Sequence, residues 1–259
     1  MGRRLQNKTA LVTGATSNIG RAIATAFAAE GAHVVVSGRN PERGPDVVDE
    51  IRAAGGRADF VAADLDGSAQ ASRDLATEAT RVLGGRVHVL VNNAGIYPSP
   101  STAATDESTF DRVYAVNVKA PFFLTAAIAP AMVEHGGGAI INLGSWISRL
   151  GIPVGSLYSS TKGAMETLTR AWAAEFGPAG VRVNAISPGV ILPPGSADAV
   201  TELLMRGTPA GHSGRPDAVV HAAVYLASDE AAFVHGAVID VDGGRVGVAV
   251  IAAGTDQRP

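Results

Sequence analysis

Short runs of β-branched and other apolar residues recur along the chain, separated by longer stretches in which apolar positions return every three or four residues. The runs Thr9–Val12, His33–Ser37, Ala58–Ala62, Val87–Val91, Ala139–Leu143, Arg182–Ile186 and Ala237–Val241 are expected to be strands. Between them the spacing is helical. Ile19, Ile23, Ala26 and Phe27 share one stripe, and Gly31 is placed to end that helix in a left-handed residue. Parallel strands need right-handed crossovers, which put helices on both faces of a sheet. The expected fold is therefore α/β: a Rossmann-like, doubly wound seven-stranded parallel sheet flanked by helices. No long linker, low-complexity tract or repeat interrupts the pattern. A single domain over 1–259 is expected, with a short lid at about 193–212 and a tail over 245–259.

Composition narrows the function classes. With 259 residues, 46% of them hydrophobic, the chain can bury one large core. A net charge of −3 and the lack of a Lys/Arg cluster argue against nucleic-acid binding. Zero cysteines exclude disulfides and thiolate metal sites and suit a reducing compartment. The six histidines, at 33, 88, 135, 212, 221 and 235, show no metal-ligand spacing, so no metal is expected. The start, Met-Gly-Arg-Arg, leads into no apolar signal region, and Gln6 stands where myristoylation requires Ser or Thr. No uninterrupted apolar run approaches the ~18 residues of a membrane span. A cytoplasmic protein without membrane partners is the expectation.

The segment Tyr158-Ser-Ser-Thr-Lys162 carries candidate chemistry. A Tyr and a Lys at i and i+4 of one helix share a face, so the ammonium is expected beside the phenol. A phenol titrates at about 10, and a nearby cation favours the phenolate, making an acid/base usable near neutral pH. Ser145 ends the fifth strand run, where ligands bind in open α/β sheets, and its hydroxyl can polarise a carbonyl. Phe110, Val113 and Tyr114 define an apolar helical stripe on which Asn117 also falls. Pro121 has no N–H to give the carbonyl of Asn117, which is left free if the helix continues.

Thr13-Gly14-Ala-Thr-Ser17-Asn18-Ile-Gly20 lies between the first strand and the first helix, where a dinucleotide pyrophosphate meets helical N–H groups. With Asn92-Asn93-Ala94-Gly95, Ser187-Pro188-Gly189-Val190-Ile191, Gly214-Arg-Pro-Asp217 and Val241-Asp-Gly-Gly244, the chain resembles the short-chain dehydrogenase/reductase family over roughly residues 7 to 244. Within the family it resembles members similar to the 3-oxoacyl-(acyl carrier protein) reductases. The resemblance implies a catalytic set of Asn117, Ser145, Tyr158 and Lys162, with Asn117 holding a relay water. It implies cofactor contacts from Gly14, Thr16, Ser17, Asn18, Ile19, Gly20, Arg39, Asp64, Leu65, Asn93, Ala94, Gly95, Tyr158, Lys162, Pro188, Gly189 and Ile191. Two positions depart from the family pattern. Asn18 replaces the middle glycine of the turn, and Asn visits left-handed backbone readily. Pro193 stands where a Thr usually binds the nicotinamide carboxamide, which leaves a backbone group of Ile191 to serve.

After the second strand run, Gly38 takes the place of the acid that would hold the ribose 2′-hydroxyl of NAD, and Arg39 follows. A guanidinium grips a 2′-phosphate, so NADP is expected, with NAD second. Asp64 is either the adenine contact or a cap for the helix starting near Ser68. Ile96, Tyr97, Trp146, Ile147, Val190 and Leu192 are expected to form an apolar substrate pocket, with Leu203, Leu204 and Met205 packing the lid; Arg149 and Arg206 are candidate anion anchors, although surface positions are expected for them. The expected reaction is hydride transfer between the nicotinamide and a ketone, β-ketoacyl or secondary-alcohol substrate. An NAD-dependent alcohol or sugar dehydrogenase, a sugar-nucleotide epimerase and a non-catalytic dinucleotide-binding regulator are the alternatives. The segments 110–135 and 155–176 carry more apolar and small residues than one buried face requires, and the resemblance implies that these helices pair between subunits, so a homotetramer, or at least a dimer, is expected.

Overall fold

The computed structural model describes residues 3–153, 155–193, 195–196 and 202–249. Positions 194 and 197–201 of the expected lid and 250–259 of the tail lie outside the described residues. The strands β1 (Thr9–Val12), β2 (His33–Gly38), β3 (Arg57–Ala62), β4 (Val89–Asn92), β5 (Gly138–Leu143), β6 (Val181–Pro188) and β7 (Val238–Val241) match the seven apolar runs. They form one parallel sheet in the order β3-β2-β1-β4-β5-β6-β7. The strand order reverses between β1 and β4, so the crevice for a ligand opens at the carboxyl ends of these two strands.

Alternate residues of each strand supply two separate cores. Val34, Val36 and Ile141 pack with Ile23 and Phe27 of α1 (Asn18–Ala29) and Val219 and Ala223 of α7 (Pro216–Ala227). Val35, Leu90 and Ile140 pack on the other face with Leu75 of α3 (Ala69–Val82), Leu124 of α5 (Ala120–Glu134) and Met165 of α6 (Ser156–Phe176). Both faces are covered, which is why these strands read as continuous apolar runs. The predicted α1 stripe is correct, and Gly31 has φ 94°. Helix α2 (Arg43–Ala53) covers the β2–β3 edge.

The run after β4 differs from the expectation. Helix α4 (Glu107–Tyr114) does not continue into α5 as a regular α-helix; Ala115–Lys119 is a π turn. Pro121 explains the local break, since it lacks the N–H that either an α- or a π-type bond would need. The stripe also splits. Val113 and Asn117 are buried, whereas Phe110 is exposed and stacks on Tyr114 at 4.9 Å. The run Glu107–Glu134 is long and apolar enough to cross a membrane by length and composition. Here Leu124, Ile128 and Met132 are buried against the sheet.

Candidate active site

The first βα turn is built around close backbone approaches. A Cβ on Gly20 would lie 2.3 Å from the Gly14 carbonyl oxygen, and one on Gly14 would lie 2.9 Å from Ala94 Cα. Asn18 has φ 43°, the left-handed conformation that its residue type tolerates. Asn93 ties the turn to β4: its side-chain amide donates to the carbonyls of Thr13 (2.8 Å) and Gly14 (3.1 Å). The Thr13 hydroxyl accepts in return from the N–H groups of Asn93 and Ala94. The first turn of α1 has no side-chain cap and no acid. Its N–H groups are thus open to an anion, and the residues present fit a dinucleotide pyrophosphate.

Neighbouring groups suit the rest of such a cofactor. A cleft of about 820 Å³ begins at Thr16, Ser17 and Asn18 but runs along α1 to Ala29 and is lined also by Asp46, Glu50 and Asp217, so only its mouth belongs to the turn. Arg39 is exposed beyond Gly38 and forms no ion pair among the described residues. Ser68 caps α3 itself by accepting from Ala71 N–H, so the capping alternative for Asp64 falls away. Asp64 is exposed, and Leu65 beside it is buried in the core. At the end of β6, a Cβ on Gly189 would lie 2.6 Å from Asp242 Cα. Val190 and Leu192 make both hydrogen bonds of the bridge to Gly214, which leaves the N–H and carbonyl of Ile191 outside that bridge.

Asn117, Ser145, Tyr158 and Lys162 come from three separate elements and converge at the carboxyl ends of β4 and β5. The Asn117 amide clasps the backbone of Ile96, accepting from its N–H and donating to its carbonyl, both at 2.8 Å, and also donates to Thr161 Oγ1. Lys162 Nζ donates to the Leu143 carbonyl at 2.7 Å and lies 5.6 Å from the centre of the Tyr158 ring.

The expectation that Lys162 lowers the Tyr158 pKa needs correction. Burial pushes the phenol up to about 12, with hydrogen bonding from Ser145 opposing the rise. Burial likewise depresses Lys162 to about 8. Removing both groups from water outweighs their mutual influence, because the ammonium is committed to a backbone carbonyl rather than to the phenol oxygen. Near neutral pH the arrangement holds a protonated phenol, which is a proton donor.

Trp146, Val190 and Met205 form a separate apolar cluster, with Ile147 and Leu192 at its margin. Ile96 is half-buried and Tyr97 is 75% exposed, and neither belongs to that cluster. Tyr97 instead meets Tyr158 edge-on at 6.2 Å. Of the expected lid stripe only Met205 is buried; Leu203 and Leu204 face solvent. Of the two arginines, Arg149 is taken up by ion pairs, while Arg206 takes the surface position expected for it. Arg149 forks onto Asp240 and lies 3.6 Å from Glu166, and Arg206 is exposed.

The sequence reading missed Glu166 and Arg245. Glu166 is buried and accepts from the Ser148 hydroxyl at 2.6 Å, while Ser148 also reaches the Ser145 carbonyl at 2.7 Å. Its position one turn beyond Lys162 was the available signal. Arg245 follows the Asp242-Gly-Gly244 turn and stacks over Trp146 at 5.0 Å; its sequence context carries no comparable signal.

A family model described as enoyl-(acyl carrier protein) reductase matches residues 14–245. The chain is 38% identical over 252 residues to the 2,5-dichloro-2,5-cyclohexadiene-1,4-diol dehydrogenase of Sphingobium indicum, covering 96% of this chain and all of that one. A solved short chain dehydrogenase/reductase family protein superposes with a TM-score of 0.85 at 42% identity, covering 95% of this chain and 100% of the other. A gluconate 5-dehydrogenase from Burkholderia cenocepacia, solved with NADP and tartrate, gives a TM-score of 0.88 at 31% identity, covering 95% and 98%.

Proposed function

Because the chain belongs to the short-chain dehydrogenase/reductase family, we propose that it is an NADPH-dependent reductase of ketones, including β-ketoacyl types, with Asn117, Ser145, Tyr158 and Lys162 as its catalytic set. The reading is carried by one observation: Ser145, Lys162 and the half-buried ring of Tyr158 meet at the carboxyl end of β5, where the phenol is pushed up to about 12 and so is protonated at neutral pH. When bound, the cofactor supplies the hydride.

The chain's residues supply everything else. The Ser145 hydroxyl donates to the substrate carbonyl oxygen and fixes its position. The Tyr158 phenol gives that oxygen a proton as negative charge develops on it. Lys162, buried behind the ring, is the nearest source from which the resulting phenolate regains a proton. Asn117 holds the Ile96 backbone and carries the relay water. Arg39 favours NADP over NAD because no acid precedes it and, among the described residues, it forms no ion pair. A solved relative holds NADP, which supports this preference.

Tyr158→Phe is expected to bind NADPH with unchanged affinity and to lose roughly 10²- to 10⁴-fold in turnover. Retained turnover on a panel of ketones, β-ketoacyl thioesters and sugars would remove Tyr158 from the mechanism. A wild-type protein that binds NADPH tightly and reduces nothing on that panel would favour the regulator instead.

The protein is further proposed to be a cytoplasmic homotetramer. Phe122 of α5 is exposed, and its ring lies 6.0 Å from that of Trp172, which is buried on α6, so Phe122 is the outward apolar group there that a second copy would cover. Light scattering on Phe122→Glu tests this, with dissociation as the expected result.

A further inference from the structure

We propose that Arg245 binds a carboxylate of the substrate, so that the compound reduced at Tyr158 is an oxo acid with an otherwise apolar skeleton. The inference rests on the reductase reading for the reaction, and on separate observations for the acid.

Trp146 is joined directly to Ser145, so the wall it forms with Val190 and Met205 adjoins the carbonyl-binding hydroxyl. The guanidinium of Arg245 lies 5.0 Å from the centre of the Trp146 ring. A cation stacked on an indole is attracted by the ring face, and its plane is held in advance of binding.

Among the described residues the cation has no counter-ion within ion-pair distance. Arg245 makes no side-chain hydrogen bond or ion pair among the described residues, and its Nε is buried without a partner. The adjacent acid, Asp242, is already engaged: one carboxylate oxygen accepts from Gly244 N–H at 2.9 Å and the other from Val246 N–H at 2.8 Å. A buried donor left unpaired is costly, and a planar guanidinium presents its remaining donors as a fork that a carboxylate matches. The contrast with Arg149 is chemical. Arg149 is neutralised by Asp240 and Glu166, whereas Arg245 keeps its charge at the margin of an apolar wall.

The test compares 4-oxocyclohexanecarboxylate with its methyl ester, which has nearly the same shape and no charge. With NADPH, the wild-type protein is expected to reduce the acid at least tenfold more efficiently than the ester. Arg245→Gln should lose about 10- to 100-fold in kcat/KM on the acid and less than threefold on the ester, and Arg245→Lys should recover part of the loss. Circular dichroism melts check that the variants fold. Binding is read separately, by quenching of tryptophan fluorescence on adding the acid in the presence of NADP⁺, which blocks turnover. Arg245-dependent binding of the acid without reduction of either compound would sink the reductase reading and leave the carboxylate site standing. Equal use of acid and ester by the wild type, equal losses on both in Arg245→Gln, or no binding of the acid to the wild type would overturn the carboxylate site.

Discussion

Lys162 Nζ donates to the carbonyl of Leu143 at 2.7 Å, so the buried ammonium is held by the last residue of β5 rather than by the phenol oxygen one helical turn before it. Burial lowers its pKa from 10.5 to about 8. Between those two values the unfolded chain binds more protons than the folded one. The destabilisation is therefore fully present below pH 8 and fades as the pH rises to 10.5. Lys162→Met should accordingly favour the folded state more at pH 7 than at pH 10.5, by at most about 3 kcal/mol. Urea unfolding of the cofactor-free protein at both pH values measures this, and an effect of the same size at both would contradict the assignment.

Asn18 has φ 43° at the head of α1, in a turn packed against Ala94. Asn18→Gly should be tolerated, because glycine adopts this conformation freely. Asn18→Ala should cost about 1 kcal/mol. Thermal melts of the two variants decide the matter, and equal melting temperatures would show that the backbone conformation does not limit stability.

Arg39 is exposed beyond Gly38 and forms no ion pair among the described residues. Its removal should weaken NADPH binding by roughly 10- to 100-fold, the range expected for hydrogen bonds to a charged partner, and leave NADH almost unchanged. Fluorescence titration of Arg39→Ala with both cofactors gives the ratio. Parallel losses for NADH and NADPH would place Arg39 outside the 2′-phosphate site.

Glu166 holds Ser148, and through it the turn that carries Ser145. Glu166→Ala removes the acceptor of the Ser148 hydroxyl while Arg149 keeps Asp240, and should destabilise by about 1 kcal/mol. Glu166→Gln keeps an acceptor for Ser148 and should lose less. If Glu166 positions Ser145, kcat should follow the same order in the two variants; unchanged kcat in Glu166→Ala would confine the residue to stability.

Much of this molecule is legible along the chain because local burial writes a local pattern. Thr9–Val12 and Ala139–Leu143 read as strands since both faces of the sheet are covered, and Ile23 and Phe27 mark the inner face of α1. Gly14, Ser145, Tyr158 and Lys162 were legible from spacing and position. The π turn at Asn117 was not, because Pro121 states only that a donor is missing and not how the backbone answers. Leu203 and Leu204 misled for a related reason: apolar residues in an irregular segment carry no period that tells inside from outside.

The sequence by itself determined which elements form, that they build a parallel sheet with helices on both faces, and which side chains are candidates for the chemistry. Only the tertiary structure decided how those side chains are charged and paired. It set Lys162 on the Leu143 carbonyl, raised Tyr158 by burial, tied Arg149 to Asp240 and stacked Arg245 over Trp146 with no ion-pair partner among the described residues. Periodicity records whether a position is buried. Titration and ion pairing depend on which groups distant in the chain are packed against it, and those are known only once the sheet and its helices have closed.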